Sequence, residues 1–240
     1  FVALWNYTVH WPMEAPADLL EKYKNLPVRG YRDYRYAAMI EAMDNAVGKV
    51  LNSLDDLKIA DETLVIFSSD NGPFGGVGDA SPLRADKGHL YEGGIRVPLI
   101  IRWPGKVKPE TLDETPVILT DLYPTILEAS GLSSDVNYPI DGENLLPLLN
   151  DGKKLKDRAI FWHYPNFAFH RDNRLGSAIR EGDYKLLYFY DNNSIELYNL
   201  KEDISENNDL SGELPKLALR LKNKLKSLLS ESQAAMPINR

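Results

Sequence analysis

The 240-residue chain contains no cysteine, and this absence excludes disulfides, thiolate zinc sites and a cysteine nucleophile from it. Positive charge is also in deficit, because 28 lysines and arginines face 35 acidic residues, for a formal net charge of −7. A nucleic-acid partner is therefore not expected. No apolar run reaches the roughly 20 residues that a membrane span needs. No segment has the pattern of a signal peptide.

Hydrophobic residues make up 43% of the chain and charged residues 26%, a balance that allows a sizeable buried core. We predict an α/β fold. A partial, mostly parallel sheet covered by helices is expected in residues 1–150, followed by a small antiparallel α+β subdomain in residues 151–240. The boundary is placed by residues 131–158, where turn-forming residues are frequent.

Residues 1–6 are apolar and partly aromatic, and this pattern predicts a buried strand. A chain that opens inside a strand is expected to have lost an upstream part, together with any export signal. Residues 31–57 carry apolar side chains at three- and four-residue steps, which predicts a long helix covering the sheet. A helix followed by an apolar strand is half of a βαβ unit, and this order is the reason for expecting parallel strands.

The segment at residues 64–72 has the clearest chemical content. Residues 64–69 are an apolar and β-branched run, which predicts a buried strand. The run ends in Asp70 and Asn71, and the carboxyl ends of strands are where α/β sheets bind ligands. Carboxylate and amide oxygens suit Ca²⁺ or Mg²⁺. The alternative is a plain Asn-Gly turn after a core strand.

Positive charge follows this segment in a loop that carries Arg84 and Lys87. Two cations beside a carboxylate-bound metal suit a tetrahedral oxyanion, while a solvated basic loop is the alternative. His10 follows the predicted strand at residues 1–6 and would project into the same crevice as Asp70, although a lone histidine often has a packing role. The nearby glycines do not form a P-loop, because the strand–GxxxxGK[ST]–helix order is absent.

The pattern changes beyond the boundary to short strands with turn residues between them, which indicates an antiparallel meander. A helix is predicted at residues 213–230 from its leucine spacing. In the loops of this subdomain, His163 and Arg174 are candidate polar site residues, with ordinary loop roles as the alternative. The strands are predicted at residues 159–163, 177–180, 183–190 and 195–200.

These motifs, in this order, closely resemble the sulfatase family, an arylsulfatase-like branch of the alkaline-phosphatase-like superfamily. The resemblance spans nearly the whole chain. The order of the motifs along the chain carries the resemblance. The matching segments are Val-His-Trp-Pro-Met-Glu-Ala-Pro at residues 9–16, Ser-Asp-Asn-Gly at 69–72, Leu-Arg-Ala-Asp-Lys-Gly-His-Leu-Tyr-Glu-Gly-Gly-Ile-Arg-Val-Pro at 83–98, Trp-Pro-Gly at 103–105, and the tail segments 181–187, 196–200 and 206–210.

The resemblance implies roles for individual residues. It assigns Asp70 and Asn71 to an active-site Ca²⁺, and it matches Lys87 and His10 to residues that contact the substrate sulfate. Lys87 would neutralise charge on the sulfate oxygens, and His10 would donate to one of them or protonate the leaving oxygen. Since the loops of the C-terminal subdomain often border the pocket in this family, the resemblance also makes His163 and Arg174 candidates for contact with a sugar or aryl group. The implied function is hydrolysis of aryl or carbohydrate sulfate monoesters, with a sulfated small molecule or glycan as substrate and a periplasmic or secreted location.

The chain departs from the family pattern at the nucleophile. Sulfatases form formylglycine from the cysteine or serine of a C/S-x-P-x-R motif, and neither version occurs here. The acidic pair that completes the family's calcium site early in the chain is also absent. We therefore expect this chain to be the C-terminal portion of a sulfatase, inactive alone, with an incomplete calcium site. Removal of upstream strands would uncover a sheet edge, so self-association through that edge is expected.

Two other functions remain open from the sequence. A phosphatase or phosphodiesterase of the same superfamily would use a similar site, because sulfate and phosphate monoesters share their shape. A non-catalytic, sulfatase-like binding module would keep the architecture without the nucleophile.

Overall fold

A computed structural model describes residues 1–27, 30–132, 138–167, 170 and 172–237. The predicted boundary region at residues 131–158 therefore lies partly outside the described residues. No helix in the described part of the chain combines the length and apolarity that crossing a membrane requires. The helices are α1 (Ala17–Lys24), α2 (Tyr34–Asp56), α3 (Glu92–Ile95), α4 (Leu122–Ala129), α5 (Leu146–Asp151) and α6 (Pro215–Glu231), and the strands are β1 (Val65–Ser68), β2 (Leu99–Arg102), β3 (Ala159–Tyr164), β4 (Gly176–Glu181), β5 (Tyr184–Phe189) and β6 (Ile195–Asn199).

The long helix expected at residues 31–57 is present as α2. Its N-cap, Asp33, accepts a hydrogen bond from the backbone N–H of Arg35 at 2.9 Å, which satisfies one of the free donors of the first turn. Met39 of α2 is buried with Met13 and Val77 in a small apolar cluster. The helix α1, which the sequence analysis did not predict, packs against α2.

The strand expected after α2 is present as β1, but the expected mostly parallel sheet is not confirmed. In the described residues β1 pairs with β2 alone, and the pair is antiparallel, with Val65 opposite Arg102. An apolar run predicts that a strand forms and gives no information on its direction. Here the connection between the two strands returns the chain through loops and the short helix α3, rather than through a long crossover helix.

Residues 1–6 do not form the predicted strand, and this expectation was wrong. The segment is exposed to solvent and pairs with no strand in the described residues. The side chain of Phe1 is 97% exposed and that of Trp5 is 93% exposed. Its apolar composition indicates a tendency to be buried, but a strand also needs a neighbour that pairs with its backbone groups. No described strand supplies that neighbour.

The predicted meander is present as a four-stranded antiparallel sheet in the order β3-β4-β5-β6. Its strands pair in sequence order. Short turns join β4 to β5 and β5 to β6, and the longer segment 165–175 joins β3 to β4. The helix α6 packs across one face, where Leu221 and Leu225 meet Ile179, Leu186 and Leu197 in a core whose members are fully buried. The leucines of α6 recur at the helical period, which places them on this one face.

Candidate functional site

A cavity of about 620 Å³ lies where the loop after β1, the segment before α3, residues 113–120 and the strands β3 and β4 meet. This volume is in the range of small-molecule sites. Asp70, Asn71, Lys87 and His163 line it, so the structure brings four of the sequence-predicted site residues to one place. His89 and His170 also line the cavity.

The turn after β1 presents oxygen atoms to this cavity. One carboxylate oxygen of Asp70 accepts the backbone N–H of Asn71 at 2.9 Å, which fixes the side chain at the strand end. The amide nitrogen of Asn71 donates to the carbonyl oxygen of Gly72 at 2.9 Å. Since that bond uses the nitrogen, the side-chain oxygen of Asn71 is the atom left to bind a ligand.

These two residues fit part of a calcium site. Their oxygens are the donors that Ca²⁺ prefers, but Ca²⁺ takes about six to eight ligands. Within the described ranges no group of three or more His, Cys, Asp or Glu side chains is arranged to hold a metal ion. The side-chain oxygens of Asp70 and Asn71 therefore suit Ca²⁺ in kind, and they are too few to form a coordination sphere by themselves.

Glycines hold the loops of the site against α3. The N–H of Gly72 donates to the carbonyl oxygen of Gly94 at 2.9 Å, and the N–H of Gly93 donates to that of Arg84 at 2.8 Å. A Cβ atom added to Gly72 would lie 1.8 Å from the carbonyl oxygen of Gly93. Because no side chain fits at this contact, the Gly-Gly sequence of α3 allows the two loops to approach each other closely.

Lys87 lies in the loop before α3, and its backbone N–H donates to the carbonyl oxygen of Pro73 at 2.9 Å. The positive charge near the cavity affects His170. Burial lowers the pKa of His170 below its ordinary value, and the ammonium of Lys87 lowers it further. His170 therefore favours its neutral form close to a cationic side chain.

His89 was not singled out by the sequence analysis. Its Nδ1 lies 3.0 Å from the carbonyl oxygen of Asp86, an atom that accepts hydrogen bonds and cannot donate them. The side chain is therefore oriented by its own loop, and Nδ1 carries the proton. The feature that could have identified His89 is its position two residues after Lys87, in a loop that is hydrogen-bonded to α3.

His163 lies at the edge of the cavity and is engaged on both ring nitrogens. Its Nε2 is 2.7 Å from the carbonyl oxygen of Ala235, so this nitrogen is the donor. Its Nδ1 is then the acceptor and lies 2.7 Å from the hydroxyl of Ser177 and 3.1 Å from that of Tyr190. Because these two hydroxyls also bond to each other at 2.6 Å, one of them donates to Nδ1. These contacts tie the segment after α6 to the sheet.

His10, Arg84 and Arg174 do not line the cavity. His10 is exposed, and its Nδ1 donates to the carbonyl oxygen of Trp11 at 2.8 Å. Arg174 forms two hydrogen bonds to Asp191, at 2.8 and 2.9 Å, and lies 3.7 Å from the centroid of the Phe189 ring. In this structure Arg174 therefore serves the β5–β6 turn.

Arg84 connects the site loop to the C-terminal sheet. Its guanidinium donates to the hydroxyl of Tyr198 at 2.9 Å and to the carbonyl oxygen of Glu206 at 2.8 Å. It also lies over the ring of Tyr91, at 3.9 Å from the centroid. The side chain is thus used for packing between the two parts of the chain, whereas the sequence analysis expected it at the substrate.

A buried cluster of charges lies next to the cavity. The ammonium of Lys185 is 2.9 Å from carboxylate oxygens of both Glu92 and Glu206, and the other oxygen of Glu92 is 3.3 Å from Arg96. Burial by itself raises the pKa of Glu92, but Lys185 outweighs it and the pKa falls below the ordinary value. Burial raises the pKa of Glu206.

Comparisons with known proteins identify the family. A profile described as "Sulfatase" matches residues 2–132, and one described as "N-sulphoglucosamine sulphohydrolase, C-terminal" matches residues 84–234. A protein named "Sulfatase" from Formosa agariphila is 39% identical, over 95% of this chain and 46% of its own length. An N-acetylglucosamine-6-O-sulfatase from Bacteroides thetaiotaomicron is 32% identical, over 91% of this chain and 40% of its own length.

Solved structures give the same result. The structure titled "Crystal structure of Ps i-CgsB in complex with k-i-k-neocarrahexaose" superposes with a TM-score of 0.80 at 31% identity, over 92% of this chain and 48% of that one. That of BT4656 "in complex with its substrate D-Glucosamine-2-N, 6-O-disulfate" superposes with a TM-score of 0.72 at 28% identity, over 85% and 41%. The chain thus spans less than half the length of these relatives.

Proposed function

The chain belongs to the sulfatase family, and we propose that it contributes one side of the active site of a sulfate-ester hydrolase. The observation that carries this proposal is that Asp70, Asn71 and Lys87 line one cavity. A sulfate monoester carries negative charge on its non-bridging oxygens. The ammonium of Lys87 would bind such an oxygen and stabilise the charge as the S–O bond breaks.

Asp70 and Asn71 would hold Ca²⁺ in the complete site. When bound there, the ion would supply positive charge to the sulfate oxygens. The rest of its ligands, and the formylglycine nucleophile, are proposed to come from a part of the protein outside this sequence. Under this proposal the chain alone is inactive and binds Ca²⁺ weakly.

The proposed role of His10 requires a change of position. Its side chain is exposed and outside the cavity, on a segment that the described structure leaves largely in solvent. We propose that this segment moves toward Asp70 when the site is complete. Arg84 and Arg174 have structural partners in this structure, so a contact between either of them and substrate would require those hydrogen bonds to be exchanged.

We propose a sulfated glycan as the substrate class. The support comes from the relatives, of which one is named as an N-acetylglucosamine-6-O-sulfatase and another was solved with a disulfated glucosamine. His163 lines the cavity, and we propose it as the residue that contacts the sugar. A periplasmic or secreted location is proposed from the family, and self-association from the exposed apolar residues at the N-terminal end.

The proposal is tested by calorimetric titration of the chain with inorganic sulfate. We expect Lys87→Ala to weaken sulfate binding by about tenfold or more, since a hydrogen bond from a charged donor is worth about 1.5–3 kcal/mol. Lys106→Ala, which changes an exposed lysine outside the cavity, is the matched control and should leave the affinity unchanged. Equal affinity for the Lys87→Ala variant and the unmodified chain would contradict the proposal.

Two further titrations test its other parts. Inorganic phosphate in place of sulfate distinguishes a sulfatase site from a phosphatase site, and we expect sulfate to bind more tightly. The purified chain should not hydrolyse a chromogenic aryl sulfate above background. Measurable turnover would show that the chain contains its own nucleophile and would overturn that part of the proposal.

A further inference from the structure

The buried charge cluster of Lys185, Glu92 and Glu206 joins the C-terminal sheet to the site. Lys185 lies on β5 and is fully buried, as is Glu206 in the segment after β6, and Glu92 at the start of α3 is 3% exposed. Burial of charged groups is costly and does not by itself argue for greater stability. The position of this cluster therefore needs another explanation.

The cluster holds Glu92 through both its side chain and its backbone. The ammonium of Lys185 donates to the Glu92 carboxylate at 2.9 Å, and the backbone N–H of Glu92 donates to the carboxylate of Glu206 at 2.7 Å. Both partners belong to the C-terminal part of the chain. The first turn of α3 is thus fixed in position and in orientation by residues about a hundred positions away in the sequence.

The helix α3 in turn holds both loops that carry the proposed site residues. Gly94 accepts the N–H of Gly72, directly after Asn71, and Gly93 donates to Arg84 at the start of the Lys87 loop. These backbone bonds are 2.9 and 2.8 Å long. A shift of α3 would therefore displace the Asp70–Asn71 turn and the Lys87 loop together.

We propose that Lys185 and Glu206 are positioning residues for the sulfate site, and that they act through Glu92 and α3. The C-terminal sheet then contributes to the site by fixing the distance between Lys87 and the Asp70–Asn71 turn. This inference rests on the proposed function, because the cavity is a sulfate site only under that proposal. The mechanical coupling that it predicts is measured independently of any ligand.

The test is amide hydrogen exchange, which reports local opening at single residues. We expect Glu206→Leu to accelerate exchange at the amides of Gly72, Lys87 and Gly93 by about tenfold or more, because the acceptor for the Glu92 N–H is lost. Glu206→Gln keeps an oxygen at that place and should stay close to the unmodified chain. The coupling is overturned if Glu206→Leu accelerates exchange within β4–β6 alone.

The matched control changes an ion pair on the opposite face of the same sheet. Glu181 of β4 pairs with Lys224 and Arg220 of α6, away from the cavity. Glu181→Leu should loosen the contact between α6 and the sheet, and it should leave the three site amides unchanged. Equal acceleration of those amides by Glu181→Leu would mean that they report general stability, and it would also overturn the inference.

The unmodified chain provides a measurement that does not depend on whether a variant folds. In native-state exchange under increasing urea, the amides of Gly72 and Gly93 should open together with the amide of Glu92, whose N–H is bonded to Glu206. Independent opening would overturn the inference. Titration with inorganic sulfate then separates the two proposals. Coupled exchange without sulfate binding would remove the proposed function and leave the positioning role, whereas sulfate binding without coupled exchange would do the reverse.

Discussion

The two parts of the chain differ in how completely they bury their own apolar surface. In the C-terminal part, α6 and the four-stranded sheet enclose a core in which Leu186, Leu197, Leu221 and Leu225 are fully buried. In the N-terminal part the buried apolar cluster around Met39 is small. Large apolar side chains there remain in solvent, among them Phe1, Trp5 and Ile100.

The difference teaches where each part obtains its stability. A sheet with a helix across one face supplies its own core, as the C-terminal part does. Exposed apolar surface of the extent seen at the N-terminal end is typical of a face that packs against something else. The connections to the C-terminal sheet, through the Lys185 cluster and through Arg84, therefore matter more for the N-terminal part than for the sheet itself. The division at residues 150 and 151 stays a prediction.

The largest effect is expected where the two parts are joined by a fully buried carboxylate. Asp121, at the start of α4, accepts two hydrogen bonds from Arg158 and one each from the N–H groups of Ile118 and Glu143. Removal of one partner leaves a buried charge uncompensated, which costs about 3–5 kcal/mol. We expect Arg158→Met to lower the free energy of unfolding by about that amount in urea titration.

The control for this prediction is Lys153→Met. The ion pair between Lys153 and Asp151 lies close to Arg158 in sequence but is exposed on both sides. Exposed pairs contribute little because water and salt screen them. The unfolding midpoint should therefore not change. A shift as large as that of Arg158→Met would contradict the view that burial makes the Asp121 contact strong.

The second prediction compares the two parts directly. Leu225→Ala should lower the free energy of unfolding by about 2–5 kcal/mol, because truncation of a fully buried leucine leaves a cavity in the core. Trp5→Ala removes a larger side chain, but Trp5 is 93% exposed, so its effect should stay within about 0.5 kcal/mol. A loss above about 1 kcal/mol for Trp5→Ala would show that the N-terminal segment is packed, and the comparison would fail.

The sequence predicted the elements that have a strong local pattern. The leucine spacing of α6, the apolar stripe of α2 and the turn residues between β3 and β6 are all local signals, and each element formed close to its expected bounds. Strand direction is not a local property, so the antiparallel pairing of β1 with β2 did not follow from the apolar run. The segment at residues 1–6 shows the same limit, because its apolar composition does not indicate which strand it would pair with.

For the site, the strand-end position of Asp70 and Asn71 and the resemblance of the Lys87 loop were sufficient to place these residues together. The roles of Glu92, Lys185 and Glu206 could not be predicted, because their contacts join residues about a hundred positions apart. Glu92 also contacts Arg96, four residues later in the chain, at 3.3 Å. The shorter contact of Glu92, at 2.9 Å, is with Lys185 on β5.

The smallest expected effect is a dependence on pH that distinguishes the two parts. Hydrogen bonds from Lys224 and Arg220 hold the pKa of Glu181 below its ordinary value, with Lys224 the larger cause. In the N-terminal part, a hydrogen bond from Lys22 of α1 similarly lowers the pKa of Glu41 of α2. A carboxylate with a lowered pKa stabilises the folded state above its unfolded pKa of about 4.3, and this contribution is lost as the pH falls through the folded pKa.

Acidification from pH 7 to pH 3 should therefore weaken both contacts, and the contact of Glu181 should lose more because two cations hold it. Thermal unfolding of Glu181→Gln should show a flatter pH dependence over this range than the unmodified chain, and Glu41→Gln a smaller change in the same direction. Glu213→Gln, at an exposed position before α6, is the control and should reproduce the unmodified profile. If Glu41→Gln flattened the pH dependence of thermal unfolding more than Glu181→Gln, the stronger acid-sensitive contact would lie between α1 and α2. That result would contradict the expected order of the two contacts.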